Sequence, residues 1–105
     1  MKCEIEHVGG SLVVKLRGEI DQHCAEEIRG EIDRELDMRH STSLIIDLGD
    51  VEFMDSSGLG LIMGRYKKIT ARGGRLMLAR PNSSVDRLLE LSGIKKLIGR
   101  EKIKE

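Results

Sequence analysis

A chain of 105 residues, 39% apolar and 34% charged, is long enough for one domain with one modest core and reads as globular rather than disordered. Its 18 Lys and Arg balance its 18 Asp and Glu, so it offers no basic surface for nucleic acid and no acidic solvating tail. Phe53 and Tyr66 are the only aromatics, too few for a base-stacking platform, and no apolar run approaches the ~20 residues of a membrane span.

In chain order, CEIEHVG alternates partly and predicts a strand near 3–8, followed by a Gly9-Gly10 hairpin turn and a second, β-branched strand near 11–17. The two are expected to pair antiparallel. Asp21 is a candidate N-cap for a helix over 22–37, where Ala25, Ile28, Ile32 and Leu36 recur at helical spacing. Residues 43–48 form an apolar run broken only by Asp47, the pattern of a strand covered on both faces. A helix is expected over 57–72, through Leu59, Ile62, Met63, Tyr66 and Ile69, stopped by Gly73-Gly74. RLMLA predicts a strand near 75–79. Ser83 with Asp86 resembles a capping box for a helix over 84–92, with Val85, Leu88, Leu89 and Ser92 on one face. The last residues, KKLIGREKIKE, read as a short charged tail that packs through Leu97 and Ile98 and then frays. The order is β-β-α-β-α-β-α, an α/β fold with a mixed, mostly parallel sheet, an antiparallel edge hairpin and flanking helices.

The N-terminus, MKCEIEH, lacks the apolar stretch of a signal peptide. Cys3 and Cys24 lie far apart in sequence and are expected to be free thiols with no part in function, in a reducing compartment. His7, His23 and His40 show no metal-ligand spacing, so no metal site is expected, and His23 reads as a surface residue. Met54, Met63 and Met77 read as core filler.

The chemistry concentrates in EFMDSSGLG, Glu52 to Gly60, where a strand hands over to a helix. A nucleophile elbow would need G-x-S-x-G, but Met54 and Asp55 stand upstream of Ser56, and the histidines lie in the first 40 residues. A phosphate cradle could use the helix N-terminus with Gly58 and Gly60, yet neither G-x-x-x-x-G-K-[ST] nor G-x-G-x-x-G is present. Asp55 or Ser56 can simply cap the helix, with Gly60 and Gly64 letting it lie close to the sheet. If Asp55 caps, two hydroxyls are left without structural duty, and one of them can be the substrate of a separate kinase. A receiver domain phosphorylated on Asp47 is disfavoured, because no acidic pair follows the first strand and no suitable Lys follows a fifth.

FMDSSGLG followed by GRYK, together with LRGEID at 16–21, the Gly73-Gly74 turn and L-x-x-S-G ending at Gly93, resembles the bacterial anti-sigma-factor antagonists of the STAS domain class, the sporulation type most closely. The resemblance spans nearly the whole chain as one STAS domain, 1–105. It implies that residues from about 95 are a short tail in which the family's C-terminal helix is truncated. It also implies a cytoplasmic protein that is not an enzyme. Such a protein binds an anti-sigma factor that is itself a serine kinase, and so releases the sigma factor. It is phosphorylated by that kinase and restored by a metal-dependent serine phosphatase. No cofactor of its own is implied; ATP and Mg²⁺ belong to the kinase.

The family's phosphoserine, the first serine after the acid, maps onto Ser56; helix-cap physics alone does not choose between Ser56 and Ser57. Glu19, Asp21, Gln22 and His23, with Asp55, Ser56, Ser57 and Gly58, are the implied partner-contacting residues. The rival reading from another class is a small-nucleotide (ATP or GTP) binding domain, or weak NTPase, using the helix start at Ser56–Gly60.

Overall fold

The structure, a computed structural model, describes residues 2–99 and 102–104. Strand β1 (Cys3–Val8) pairs antiparallel with β2 (Ser11–Ile20) across a two-residue turn. Gly9 occupies φ +63°, the left-handed conformation that a tight hairpin turn asks of its first central residue. Helix α1 (Gln22–Arg39) leads to β3 (Ser43–Met54), which lies parallel to β2, and α2 (Ser56–Ala71) leads to β4 (Arg75–Ala79), parallel to β3. With β5 (Ile103–Lys104), the five-stranded sheet runs β1-β2-β3-β4-β5, mixed and mostly parallel as the sequence predicts.

Burial alternates along the central strands. Leu12, Val14 and Leu16 of β2, Leu44, Ile46 and Leu48 of β3, and Leu76 and Leu78 of β4 are sealed on one face, where Ile28, Ile32 and Leu36 of α1 and Leu61, Ile62 and Ile69 of α2 join the same core. The opposite face stays half-exposed at Val13, Ile45 and Met77. β3 is thus not covered on both faces, as its apolar run suggests. Ile45 packs beside its apolar strand neighbours on a half-exposed face, which holds it without a helix above it. Met54 is buried and Met63 packs against the core, consistent with their reading as filler, whereas Met77 is only half-buried.

The two central strands run further than expected, to Ile20 and Met54. The pairing shifts from Lys15↔Asp47 to Arg17↔Asp50 and from Gly18↔Val51 to Glu19↔Phe53, so β3 carries an extra residue twice. In β3 each bulge breaks the period-two pattern, which is why the sequence ends that strand early, whereas β2 keeps its alternation to Ile20 and is interrupted in sequence only by the polar stretch around Gly18. Beyond β4 the corrections are local. Helix α3 (Ser83–Ser92) is capped by Asn82, whose side chain accepts from the Val85 N–H at 2.8 Å, and not by Ser83. Gly93, at φ +85°, ends α3 and opens α4 (Ile94–Ile98). Within α4, Ile94 and Ile98 are buried, while Leu97 is half-exposed. The charged segment does not simply fray, because Ile103–Lys104 forms β5 and pairs parallel with β4. Arg100, Glu101 and Glu105, also part of that expected tail, lie outside the described residues.

Candidate functional site

The two bulges bring β2 and β3 to an end together. Ile20 pairs with Met54, and the Asp55 N–H donates to the Ile20 carbonyl at 3.2 Å. The next residue of each strand is an aspartate that caps a helix. Asp21 accepts from the His23 N–H at 2.9 Å, and Asp55 accepts from the Ser57 N–H at 2.8 Å. Each cap satisfies one of the orphan donors of its helix. The N-termini of α1 and α2 therefore stand side by side at one rim of the sheet, and all eight sequence-identified residues gather there.

Ser56 is the first residue of α2 and is exposed, whereas Ser57 is half-buried. With Asp55 as cap, neither serine hydroxyl makes a hydrogen bond within the chain among the described residues. Gly58 is buried beneath them. A Cβ there would lie 2.3 Å from Met54 Cγ and 3.3 Å from the Ile20 carbonyl, so the first turn of α2 can settle onto the strand ends only with glycine. Gly60 and Gly64 do not serve close approach to the sheet, because a Cβ at either would meet nothing within 4 Å.

The rim is acidic. Asp21 and Asp55 cap the helices, and exposed Glu19 and Glu52 flank them. The His23 backbone N–H, then the nearby His23 ring, hold the Asp21 carboxyl below its ordinary value. The His23 ring itself projects into solvent, 3.6 Å from Asp21 Oδ1. The Glu19 carbonyl accepts from Lys2 Nζ at 3.0 Å and from the Cys24 thiol at 3.5 Å. Cys3 and Cys24 are both free, as expected. Burial, and then Glu31 beside it, push the Cys3 thiol up to about 12. Among the described residues no three His, Cys, Asp or Glu side chains converge as a metal site.

Sequence reasoning missed two features of the rim. One is an apolar cleft of about 340 Å³ between the end of β3 and α3, with Phe53 on its edge and Val85 and Leu88 in its wall. Phe53 is 53% exposed because the bulges turn it away from the core, and period-two counting cannot see that. The other is a groove of about 310 Å³ between α1 and α2, where Glu26 and Arg29 face Ser57 and Gly60. Arg29 lies seven residues, two helical turns, after Gln22, a spacing that marks it as sharing Gln22's face.

The STAS domain family matches residues 2–105. This chain belongs to the STAS domain family. Its anti-sigma F factor antagonist relative from Paenibacillus polymyxa is 40% identical over 98 residues, spanning 93% of this chain and 84% of that one. The solved structure of the anti-sigma factor antagonist SpoIIAA in its unphosphorylated form is similar with a TM-score of 0.84 at 30% identity, over 98% of this chain and 87% of that one. The phosphorylated form of the Bacillus cell fate determinant SpoIIAA is similar with a TM-score of 0.78 at 30% identity, over 98% and 90%. The mixed sheet and helices described above are thus the STAS fold, and the double serine of this STAS domain sits on its rim. Among the described residues no helix is long and apolar enough to cross a membrane.

Proposed function

We propose that this chain is an anti-sigma factor antagonist switched by phosphorylation of Ser56. Unmodified, it binds an anti-sigma factor that is also a serine kinase and frees the sigma factor, in the cytoplasm and without direct contact to nucleic acid or membrane. The kinase transfers a phosphoryl group from ATP to the Ser56 hydroxyl, binding ends, and a metal-dependent serine phosphatase restores the hydroxyl. The chain supplies no catalytic group and holds no cofactor; ATP and Mg²⁺ stay with the kinase.

The observation that carries this reading is the exposed, unbonded hydroxyl of Ser56 on a helix whose cap is already filled by Asp55. It can be modified without removing a structural bond. The half-buried Ser57 beside it is the poorer acceptor. A helix N-terminus favours an anion by ~0.3–1 kcal/mol, so the modified chain stays folded. That SpoIIAA shares this fold in both its unphosphorylated and phosphorylated forms supports the same conclusion. Phosphate adds about −1.5 to −2 charges to a rim that already holds Asp21, Asp55 and Glu19. A partner surface fitted to a neutral serine then faces repulsion and desolvation, and a loss of ~3 kcal/mol lowers affinity about 150-fold.

The test is incubation with candidate anti-sigma factor kinases and Mg-ATP, read by mass spectrometry. One phosphate is expected on the peptide holding Ser56 and Ser57. Ser56→Ala is expected to take up none and to stay bound to the kinase, whereas Ser57→Ala is still modified. Phosphorylation of Ser56→Ala at the wild-type rate would end the assignment. Micromolar binding of ATP or GTP by the chain alone would favour the nucleotide-binding rival.

A further inference from the structure

The groove between α1 and α2 is lined by Ser57, the neighbour of Ser56 in the first turn of α2, and among the described residues Arg29 is the one cation that lines it. In the unmodified chain its guanidinium bonds to Glu26 and lies 3.6 Å from Asp33 Oδ2. Asp33 does not depend on it. The Nε of Arg65, a residue only 6% exposed on α2, stands 2.9 Å from Asp33 Oδ1 and neutralises that carboxylate from the other side. Arg29 is about half-exposed, and the bare Cα of Gly60 leaves the facing wall of the groove open.

We propose that Arg29 captures the phosphoryl group on Ser56 as its charge partner within the same chain. The inference rests on the phosphoserine reading above and adds how the modified state is held. A phosphate carries nearly twice the charge of the Glu26 carboxylate and accepts the planar guanidinium fork at two oxygens, so it outcompetes Glu26 for Arg29. Leaving Glu26 strands one carboxylate, since Asp33 keeps Arg65. Glu26 then stands without its partner, and the first turns of α1 become negative along with the start of α2. The repulsive surface is thereby spread from one residue to two helices. Ser57, on the groove itself, packs beside the captured group.

The charged groups of the rim around position 56 are Asp55 at its own cap, Glu52 near the end of β3, Asp21 and His23 at the neighbouring cap, Lys2 and Glu19 at the end of β2, and Glu26 and Arg29 in the groove. Of these, Arg29 is the one that the proposal requires to move onto the phosphate.

The experiment places phosphoserine at position 56 of the full chain by genetic incorporation, so that no kinase is needed, and follows the phosphorus resonance by NMR as pH changes. The ring protons of His23 are followed in the same samples to separate its charge change from that of the phosphate. Contact with Arg29 is expected to bring the second phosphate ionisation from about 6 towards 5. Arg29→Gln is expected to return it to about 6, and Glu26→Gln, which frees Arg29, to lower it at least as far as wild type. Circular dichroism of the unmodified Arg29→Gln chain checks that it folds; if it does not, the Glu26→Gln arm decides. Identical midpoints in wild type and Arg29→Gln, or a rise in Glu26→Gln, would overturn the capture. A failure to phosphorylate in the kinase assay would overturn the parent reading instead, and leaves this measurement interpretable on its own.

Discussion

The segments Ile20-Asp21-Gln22-His23 and Met54-Asp55-Ser56-Ser57 leave neighbouring parallel strands side by side, and each begins a helix. The aspartates have nearly the same backbone, φ −127° and ψ −174° at Asp21 against φ −107° and ψ −167° at Asp55. Each accepts from the N–H two residues on. The residues behind the two caps differ. After Asp21 come Gln22, His23 and Cys24; after Asp55 come Ser56, Ser57 and Gly58. The first helix shows that the cap works with neither serine nor glycine behind it. The hydroxyls of the second are therefore spare, while its glycine answers to the strand ends packed beneath it.

The largest expected contrast is in partner binding. Ser56→Asp and Gln22→Asp each put a carboxylate at the first position of a helix, where it costs little stability, and both variants are expected to melt within a few degrees of wild type. If Ser56 is the switch, Ser56→Asp lowers affinity for the anti-sigma factor kinase by roughly 150-fold, equivalent to ~3 kcal/mol, and Gln22→Asp by less than roughly tenfold. Titration calorimetry of both variants against one kinase measures this. Equal losses would mean that the rim responds to charge anywhere, and Ser56 would lose its special place.

Next comes packing. Position three after the cap holds a side chain in α1 and cannot hold one in α2. Gly58→Ala brings its Cβ to 2.3 Å from Met54 Cγ, so Met54 or the helix must shift. Overpacking of this kind costs ~1–3 kcal/mol, partly offset by the better helix propensity of alanine, about 1 kcal/mol. For a domain of this size each kcal/mol lowers Tm by roughly 4–8 °C. Cys24→Ala, the matching change in α1, removes long thiol contacts to the Glu19 and Asp21 carbonyls, 3.5 and 3.6 Å, and a half-buried sulfur at the edge of the core, creates no overlap, and is expected to melt closer to wild type than Gly58→Ala. Thermal unfolding of the two variants decides it. A Gly58→Ala protein that melts with wild type would show that the strand ends do not dictate the glycine.

The same pair of segments shows what the sequence could reveal. At the second cap the pattern left Asp55 and Ser56 open, and the bond from the Ser57 N–H decides for Asp55; the first cap was legible, because an aspartate before a helical period has one common use. So were the cores of all three long helices and the antiparallel edge, where local periodicity and turn chemistry agree. The side-by-side placement of the caps was not legible, since it depends on two bulges in β3 that restore register with β2 only at Ile20 and Met54. A bulge is a tertiary compromise between two strands, and neither strand records it alone. The exposure of Phe53 comes from the same bulges. β5 was missed for another reason: its two residues gain their order from β4, whose edge they cover, and not from their own pattern. The choice of Ser56 over Ser57 came from family resemblance, and exposure adds a physical reason that the one-dimensional pattern lacks.

The smallest expected effect isolates the charge of the first cap. Asn caps a helix about as well as Asp, so Asp21→Asn keeps the bond to the His23 N–H and removes only the carboxylate. The His23 N–H, followed by the His23 ring, holds the folded-state pKa of Asp21 below its ordinary 3.8. A carboxylate depressed in this way binds fewer protons folded than unfolded, so it stabilises the fold above the unfolded pKa and stops doing so as pH falls through the folded value. The wild-type advantage over Asp21→Asn is therefore expected in full at pH 5 to 7, to shrink below about 3.8, and to vanish once both states are protonated. Other carboxylates are depressed as well, Asp37 by Arg72 and Lys68 and Glu26 by Arg29, and they shape the acid limb of the whole protein. They are common to both chains and cancel in the difference. Urea denaturation of the pair from pH 2.5 to 7 measures it. A gap that persists unchanged into acid would mean that Asp21 serves α1 as a hydrogen-bond acceptor alone, and that its negative charge has a use only at the rim it shares with Asp55 and Ser56.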